Sequence, residues 1–216
     1  MEDLIMAALG GEDARVAQLI AAGADVNHAD GNGWTALASA AGRGHGDVVA
    51  RLLAAGADVN RADVRGGTAL MRAAEGGDVA IADRLLAAKA NVNIADAKGK
   101  TALMRAAENR RDGMVVRLVK AGADVSHADR RGKTALMRAA LVSDGAMIGV
   151  LLKAGADVNH ADANGWTALI CAAAGDVAIV KQLLAAGANA NHAAKDGMTA
   201  RKRAANSGHT AITALF

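Results

Sequence analysis

Proline and tyrosine are absent from this chain of 216 residues, and its rings are limited to Trp34, Trp166 and Phe216. A sequence so poor in aromatics has no series of rings on which nucleic-acid bases could stack. Cys171 is the only cysteine, so no intrachain disulfide can form and nothing points to an oxidising compartment. Long apolar runs are missing too: the apolar fraction is 52%, yet alanine is its main source. No stretch approaches the roughly 20 apolar residues that a membrane span requires. Small side chains of this kind let helices pack closely. Met1 to Met6 contains Glu2 and Asp3 in place of a basic leader, so the chain reads as soluble, unexported and cytoplasmic.

The net charge is a modest +3, but the charges are unevenly placed. Residues 1–60 carry 3 basic and 8 acidic side chains, residues 61–140 carry 16 and 9, and residues 141–216 carry 6 and 5. If sequence position maps onto position along an axis, the middle becomes a basic band.

That mapping is what the repeats imply. The string TAL recurs at Thr35, Thr68, Thr101, Thr134 and Thr167, each 33 residues after the last, and a weaker TAR begins at Thr199, 32 residues on. A second track runs in phase, with AGADVN-like strings ending at Asn27, Asn60, Asn93, Ser126, Asn159 and Asn191. A period of this length marks units that cannot bury their apolar faces alone and stack into one elongated solenoid domain.

The unit from Arg61 to Asn93 shows the local structure to expect. Asp63 to Gly67 has turn chemistry, with a carboxylate able to accept backbone N–H groups and a glycine where positive φ is expected. Thr68 is placed to cap a short helix over Ala69 to Glu75, ended by Gly76 and Gly77. Val79, Ala82, Leu85 and Leu86 recur at helical spacing in a second helix over Asp78 to Ala88. Glycine follows most second helices (Gly23, Gly56, Gly122, Gly155, Gly187), where a left-handed cap is expected, and Lys89 is the exception.

These residues resemble the ankyrin repeat family: a DxxGxT turn, a TPLHxAA first helix, a second helix and GADVN. The resemblance covers essentially the whole chain. It implies an all-α solenoid of helix-turn-helix units with projecting β-turns, divided as a capping repeat at 1–27, full repeats at 28–60, 61–93, 94–126, 127–159 and 160–191, and a capping repeat at 192–216. The family's Pro is Ala here, and its His is Ala38, Met71, Met104, Met137, Ile170 and Lys202. Loss of Pro at a first helical position removes some preorganisation. Arg201 and Lys202, followed by Arg203, stand where interior first helices carry apolar LM-type residues, as suits an unstacked outer face. One residue is missing near Ala174 relative to the other units.

Catalytic and metal constellations fail on geometry. His28, His127, His160 and His192 occupy one column, and equivalent positions on stacked helices lie roughly 10 Å apart, too far to share a zinc with bonds of ~2 Å. The recurring Asp30, Asp63, Asp96, Asp129 and Asp162 are each explained by their own turn. Cys171 has no acid-base partner within its repeat. Gly42, Gly44 and Gly46 lack the preceding strand and the GK[ST] of a phosphate loop. No enzyme, cofactor or metal is expected.

Two surface columns carry the functional expectation. The position before each Thr holds Trp34, Gly67, Lys100, Lys133, Trp166 and Met198, and the position four after it holds Ser39, Arg72, Arg105, Arg138, Cys171 and Arg203. The resemblance implies that turn tips and first helices line a concave groove where partners bind. The expected contact residues are then Trp34, Arg72, Lys100, Arg105, Lys133, Arg138 and Trp166, because Trp and Arg are the side chains most enriched in binding hot spots. A competing reading pairs Arg72 with Glu75 and Arg105 with Glu108 one helical turn on, as solubilising pairs. Arg138 has Leu141 at that place.

The functional expectation is a non-enzymatic, monomeric interaction module that binds another protein, either folded or presenting an acidic segment, with no membrane involved. The alternative is a polyanion or nucleic acid held by the basic central repeats. Nine interleaved acidic residues in 61–140 and the absent aromatic series weigh against it.

Overall fold

The computed structural model describes residues 2–216; residue 1 of the expected capping repeat lies outside them. The chain divides into two compact units, residues 1–123 and 124–216. The first contains α1 (Glu2–Gly10), α2 (Asp13–Ala21), α3 (Ala36–Arg43), α4 (Gly46–Ala54), α5 (Ala69–Gly76), α6 (Val79–Ala87), α7 (Ala102–Glu108) and α8 (Asp112–Lys120). The second contains α9 (Ala135–Leu141), α10 (Gly145–Lys153), α11 (Ala168–Ala172), α12 (Val177–Ala185), α13 (Ala200–Asn206) and α14 (Thr210–Thr213). Among the described residues there is no strand, only the isolated bridges Ala29 to Thr35 and Ala193 to Thr199.

Each first helix from α3 onward starts where the sequence places its threonine. Thr68 is extended (φ −100°, ψ 165°) and its hydroxyl accepts the Met71 N–H at 3.4 Å, satisfying one of the donors that a helix start leaves open. The following alanines and leucine favour the helix, and in α5 Ala69, Leu70, Met71, Ala73 and Ala74 are all buried. Small side chains let these helices be covered on several sides. The second helices bury one stripe instead, such as Ile81, Ala82 and Leu85 in α6 or Met114, Val115 and Leu118 in α8.

Within the first unit α1, α3, α5 and α7 stack in order, and α2, α4, α6 and α8 form a second row; within the second unit α9, α11 and α13 stack, as do α10, α12 and α14. Each fully buried leucine in these rows, such as Leu37, Leu70 or Leu103, contributes about 1.5–3 kcal/mol relative to exposure. This is the expected stacking of helix-turn-helix units, seen separately in each unit.

The left-handed caps follow the expected column: Gly56 has φ 85° and Lys89, the non-glycine exception, φ 68°. A further left-handed position lies between the two helices of a repeat. Gly77 fills it at φ 83°, but Arg110 (φ 56°) and Ser143 (φ 54°) occupy the same place in later repeats. The residue missing near Ala174 falls at this junction: α11 stops at Ala172, and its cap Ala173 remains right-handed.

Polar side chains join the repeats along two further columns. Asn27 donates to Gly56 O at 3.1 Å and accepts the Asp58 N–H at 2.6 Å. Asn60 and Asn159 make the same pair of bonds to the next loop. At the start of the second helix, Asp78, Asp144 and Asp176 cap their own helix. Where that residue is His45, Arg111 or His209, its side chain instead reaches a carbonyl oxygen of the preceding repeat, on Leu9, Glu75 or Ala174.

Candidate interaction surface

The turn that carries the surface is built by one carboxylate oxygen. Asp63 Oδ1 accepts the N–H groups of Arg65 and Gly67, both at 2.8 Å, and Asp30, Asp96, Asp129 and Asp162 do the same in their own turns. Consecutive tips are then tied through their backbones. In the first unit the Val64 N–H donates to Asn32 O at 3.0 Å and the Ala97 N–H to Arg65 O at 2.8 Å. In the second unit Ala163 N–H reaches Arg131 O, and Lys195 N–H reaches Asn164 O, both at 2.9 Å. The approach is close enough that a Cβ on Gly66 would lie 2.9 Å from the Asp96 Cα, and Gly66 also needs φ 78°.

The second oxygen of the same carboxylate binds the first-helix arginine nine residues on. Arg72 meets Asp63 at 2.6 Å, Arg105 pairs with Asp96 and Arg138 with Asp129. The pairing expected from helical spacing is only partly present. Arg72 does touch Glu75, at 3.4 Å, but Arg105 pairs with Glu75 of the preceding repeat, and Glu108 accepts Lys100 Nζ at 2.8 Å. Arg138, which has no acidic residue one helical turn on, is the most buried of the three arginines, at 6% exposure. The reason is tertiary: the turn folds its aspartate back over the first helix, and stacking brings Glu75 beside Arg105 of the next repeat.

These contacts set the charge state of the aspartates. Burial disfavours ionisation of Asp63, but the amides of Gly67 and Arg65 and the Arg72 guanidinium outweigh it, and its carboxyl titrates below the usual range. Asp96 is held low in the same way, burial being outweighed by the amides of Lys100 and Lys98 and by Arg105.

The two tryptophans stand where this pairing is interrupted. Their own repeats carry Ser39 and Cys171 in place of the arginine, and each indole is covered by the arginine of the following repeat. The Arg72 guanidinium lies 4.5 Å from the centre of the Trp34 ring, and Arg203 lies 4.5 Å from that of Trp166. Arg203 is therefore half-buried under Trp166, unlike the exposed Arg201 and Lys202 with which sequence position grouped it.

Of the expected contact residues, Trp34, Arg72, Lys100 and Arg105 lie in the first unit, where Trp34 touches Arg72, and Arg72 and Arg105 share Glu75. Lys133, Arg138 and Trp166 lie in the second, where Lys133 and Trp166 line one cleft of about 440 Å³ with Asp162, Asn164, Lys195 and Asp196. A matching cleft of about 280 Å³ in the first unit is lined by Asn32, Trp34, Asp63, Val64, Arg65 and Arg72. The exposed tip cations Arg65, Lys98, Arg130 and Arg131 are not among the expected contact residues. None has an ion-pair partner among the described residues. Their signal was available in the sequence: they follow the turn aspartate by one or two positions, where the projecting turn turns side chains outward.

The remaining candidates have structural work. His160 and His192 place Nε2 2.8 Å from Gly132 O and Gly165 O, each binding back to the preceding turn. Cys171 is 4% exposed, and burial pushes its thiol up to about 11, with Lys133 and Arg203 opposing, so it stays protonated at neutral pH.

The family model described as ankyrin repeats (3 copies) matches residues 4–96, 70–162 and 143–216. The chain belongs to the ankyrin repeat family. No curated protein matches the sequence. Ankyrin repeats are in general protein–protein interaction modules, and the family is typically a non-enzymatic scaffold. Among the described residues no helix is long and apolar enough to cross a membrane.

Proposed function

We propose that this protein is a non-enzymatic, monomeric scaffold that binds a protein partner on the face formed by its turn tips and first helices. The observation that supports this most directly is the pair of half-buried indoles, Trp34 and Trp166, each held by an arginine stack beside a cleft. A ring fixed before binding loses little freedom on association, and it offers a broad apolar area at an otherwise polar rim. Lys133 adds a cation beside the Trp166 cleft. Arg72, Arg105 and Arg138 are already committed to turn carboxylates. Arg72 fixes the Trp34 indole and all three hold their own turns in place, with Lys100 tethered to Glu108.

The test compares affinities for a partner captured from cell extract with the intact chain. Trp34→Ala, Trp166→Ala and Lys133→Ala should each weaken binding, whereas Arg84→Ala and Lys181→Ala, on the exposed sides of α6 and α12, should not. Greater loss from the second pair would remove the assignment of the face.

A further inference from the structure

Two kinds of cation stand side by side in the repeats 61–93 and 94–126. Arg72 on α5 and Arg105 on α7 are neutralised: Arg72 by Asp63 and Glu75, and Arg105 by Asp96 and Glu75. Those at the turn tips are not: Arg65 and Lys98 are exposed, and neither has an ion-pair partner among the described residues. Each follows an exposed apolar residue, Val64 at 70% exposure and Ala97. The Asp63 and Asp96 carboxylates nearest to them are buried and committed to their own turns. The tips therefore present positive charge and small apolar surface together, next to the Trp34 cleft.

We propose that this row recognises an extended acidic segment of the partner, with carboxylates three residues apart and an apolar side chain preceding the first. The proposal rests on the interaction-surface reading above and adds the chemistry of the partner. Stacked helices repeat at about 9 Å, and the backbone bonds between tips hold Arg65 and Lys98 one such step apart. An extended polyproline II chain advances about 3.1 Å per residue and turns once every three residues, so side chains at i and i+3 share a face. Carboxylates at i and i+3 thus span one repeat step, and the preceding apolar side chain falls toward Trp34 and Val64. A folded acidic surface could meet the charges, but it would not match the narrow cleft beside them. On this row of the first unit a nucleic-acid strand would meet Arg65 and Lys98 among the described residues, and its phosphates have no use for the apolar Val64.

The probe is the octapeptide acetyl-ALEAPEAP-amide, whose prolines favour an extended chain, titrated into the full chain by calorimetry and by following the Trp34 indole N–H signal in NMR. Saturable binding that moves the Trp34 signal is expected, with the Kd raised at least about tenfold by Arg65→Glu combined with Lys98→Glu. Arg84→Glu combined with Lys120→Glu, on the second helices, should leave the Kd unchanged. The control acetyl-ALEEAPAP-amide, with adjacent glutamates, should bind several-fold more weakly. Circular dichroism checks that both charge-reversed proteins keep their helices, as their exposure implies.

The proposal is overturned if both peptides bind equally, if both charge reversals act equally, if no peptide binds, or if oligothymidylate binds more tightly than the peptide through Arg65 and Lys98. Loss of captured-partner affinity on Trp34→Ala without a response to the tip reversal would overturn the acidic segment while leaving the interaction surface standing.

Discussion

Arg72 and Arg105 on the first helices and Arg65 and Lys98 at the turn tips belong to the same repeats and carry the same charge, yet their fates are opposite. The helical pair is locked to buried aspartates, while the tip pair projects into solvent. Counting charges along residues 61–140 makes the whole stretch look basic; resolving them by position shows that Arg72, Arg105 and Arg138 are spent inside the fold. Certain columns of the repeat therefore have a fixed structural duty, and whatever residue stands there inherits it. The tip columns have no such duty, so their identity is free to serve recognition.

The sharpest test of that contrast is to remove a carboxylate from the locked row. Asp96→Ala leaves the Arg105 guanidinium with Glu75 alone and frees two backbone N–H groups, and it should lower unfolding free energy by about 3 kcal/mol in chemical denaturation. A loss no larger than that of a surface substitution would erase the distinction between the two rows.

Acid should expose the same row. The folded pKa values of Asp63 and Asp96 lie below their unfolded ones, so the stability they contribute is present above the unfolded value of about 3.9 and is lost as pH falls through the folded value. Stability followed against pH should fall below about pH 4, and Asp96→Asn should flatten that fall while lowering the plateau at neutral pH. An unchanged acid limb would separate the ion pairs from stability.

Geometry imposed by a column can also be tested where the residue fits it badly. Lys89 keeps the left-handed cap at φ 68°, a conformation costing a side chain with a Cβ roughly 1 to 2 kcal/mol. Lys89→Gly should raise the denaturation midpoint by that measure, and no gain would mean that the lysine has a compensating contact.

The asparagine column offers a smaller gain in the second unit. Ser126 stands where Asn27, Asn60 and Asn159 bond the next loop, so Ser126→Asn should reach Gly155 O and the Asp157 N–H and add about 1 kcal/mol. Arg65→Ala, by contrast, should change stability by less than about 0.5 kcal/mol. A larger effect there would show that the tips are not free.

The fold was legible because it is periodic. The threonine caps, the glycine caps and the apolar stripe of the second helices each depend on contacts within a few residues, and their repetition at 33 residues announced the stacking. Lys89 could be placed in a left-handed cap for the same reason. Arg110 and Ser143 escaped notice because neither is a glycine, and nothing but the backbone shows that their position is left-handed.

The state of each surface charge was not legible in this way. Helical spacing suggested Glu108 for Arg105, whereas the turn supplied Asp96 from nine residues earlier and the adjacent helix supplied Glu75 from thirty residues earlier. The stacking of Arg72 on Trp34 and of Arg203 on Trp166 likewise joins side chains of neighbouring repeats. Sequence by itself determined the repeat, its helices and which columns face the turn, because those follow from local bonding and a fixed period. Only the tertiary structure decided which arginines are neutralised and which tip cations remain available, because that depends on what packing brings within a few ångströms.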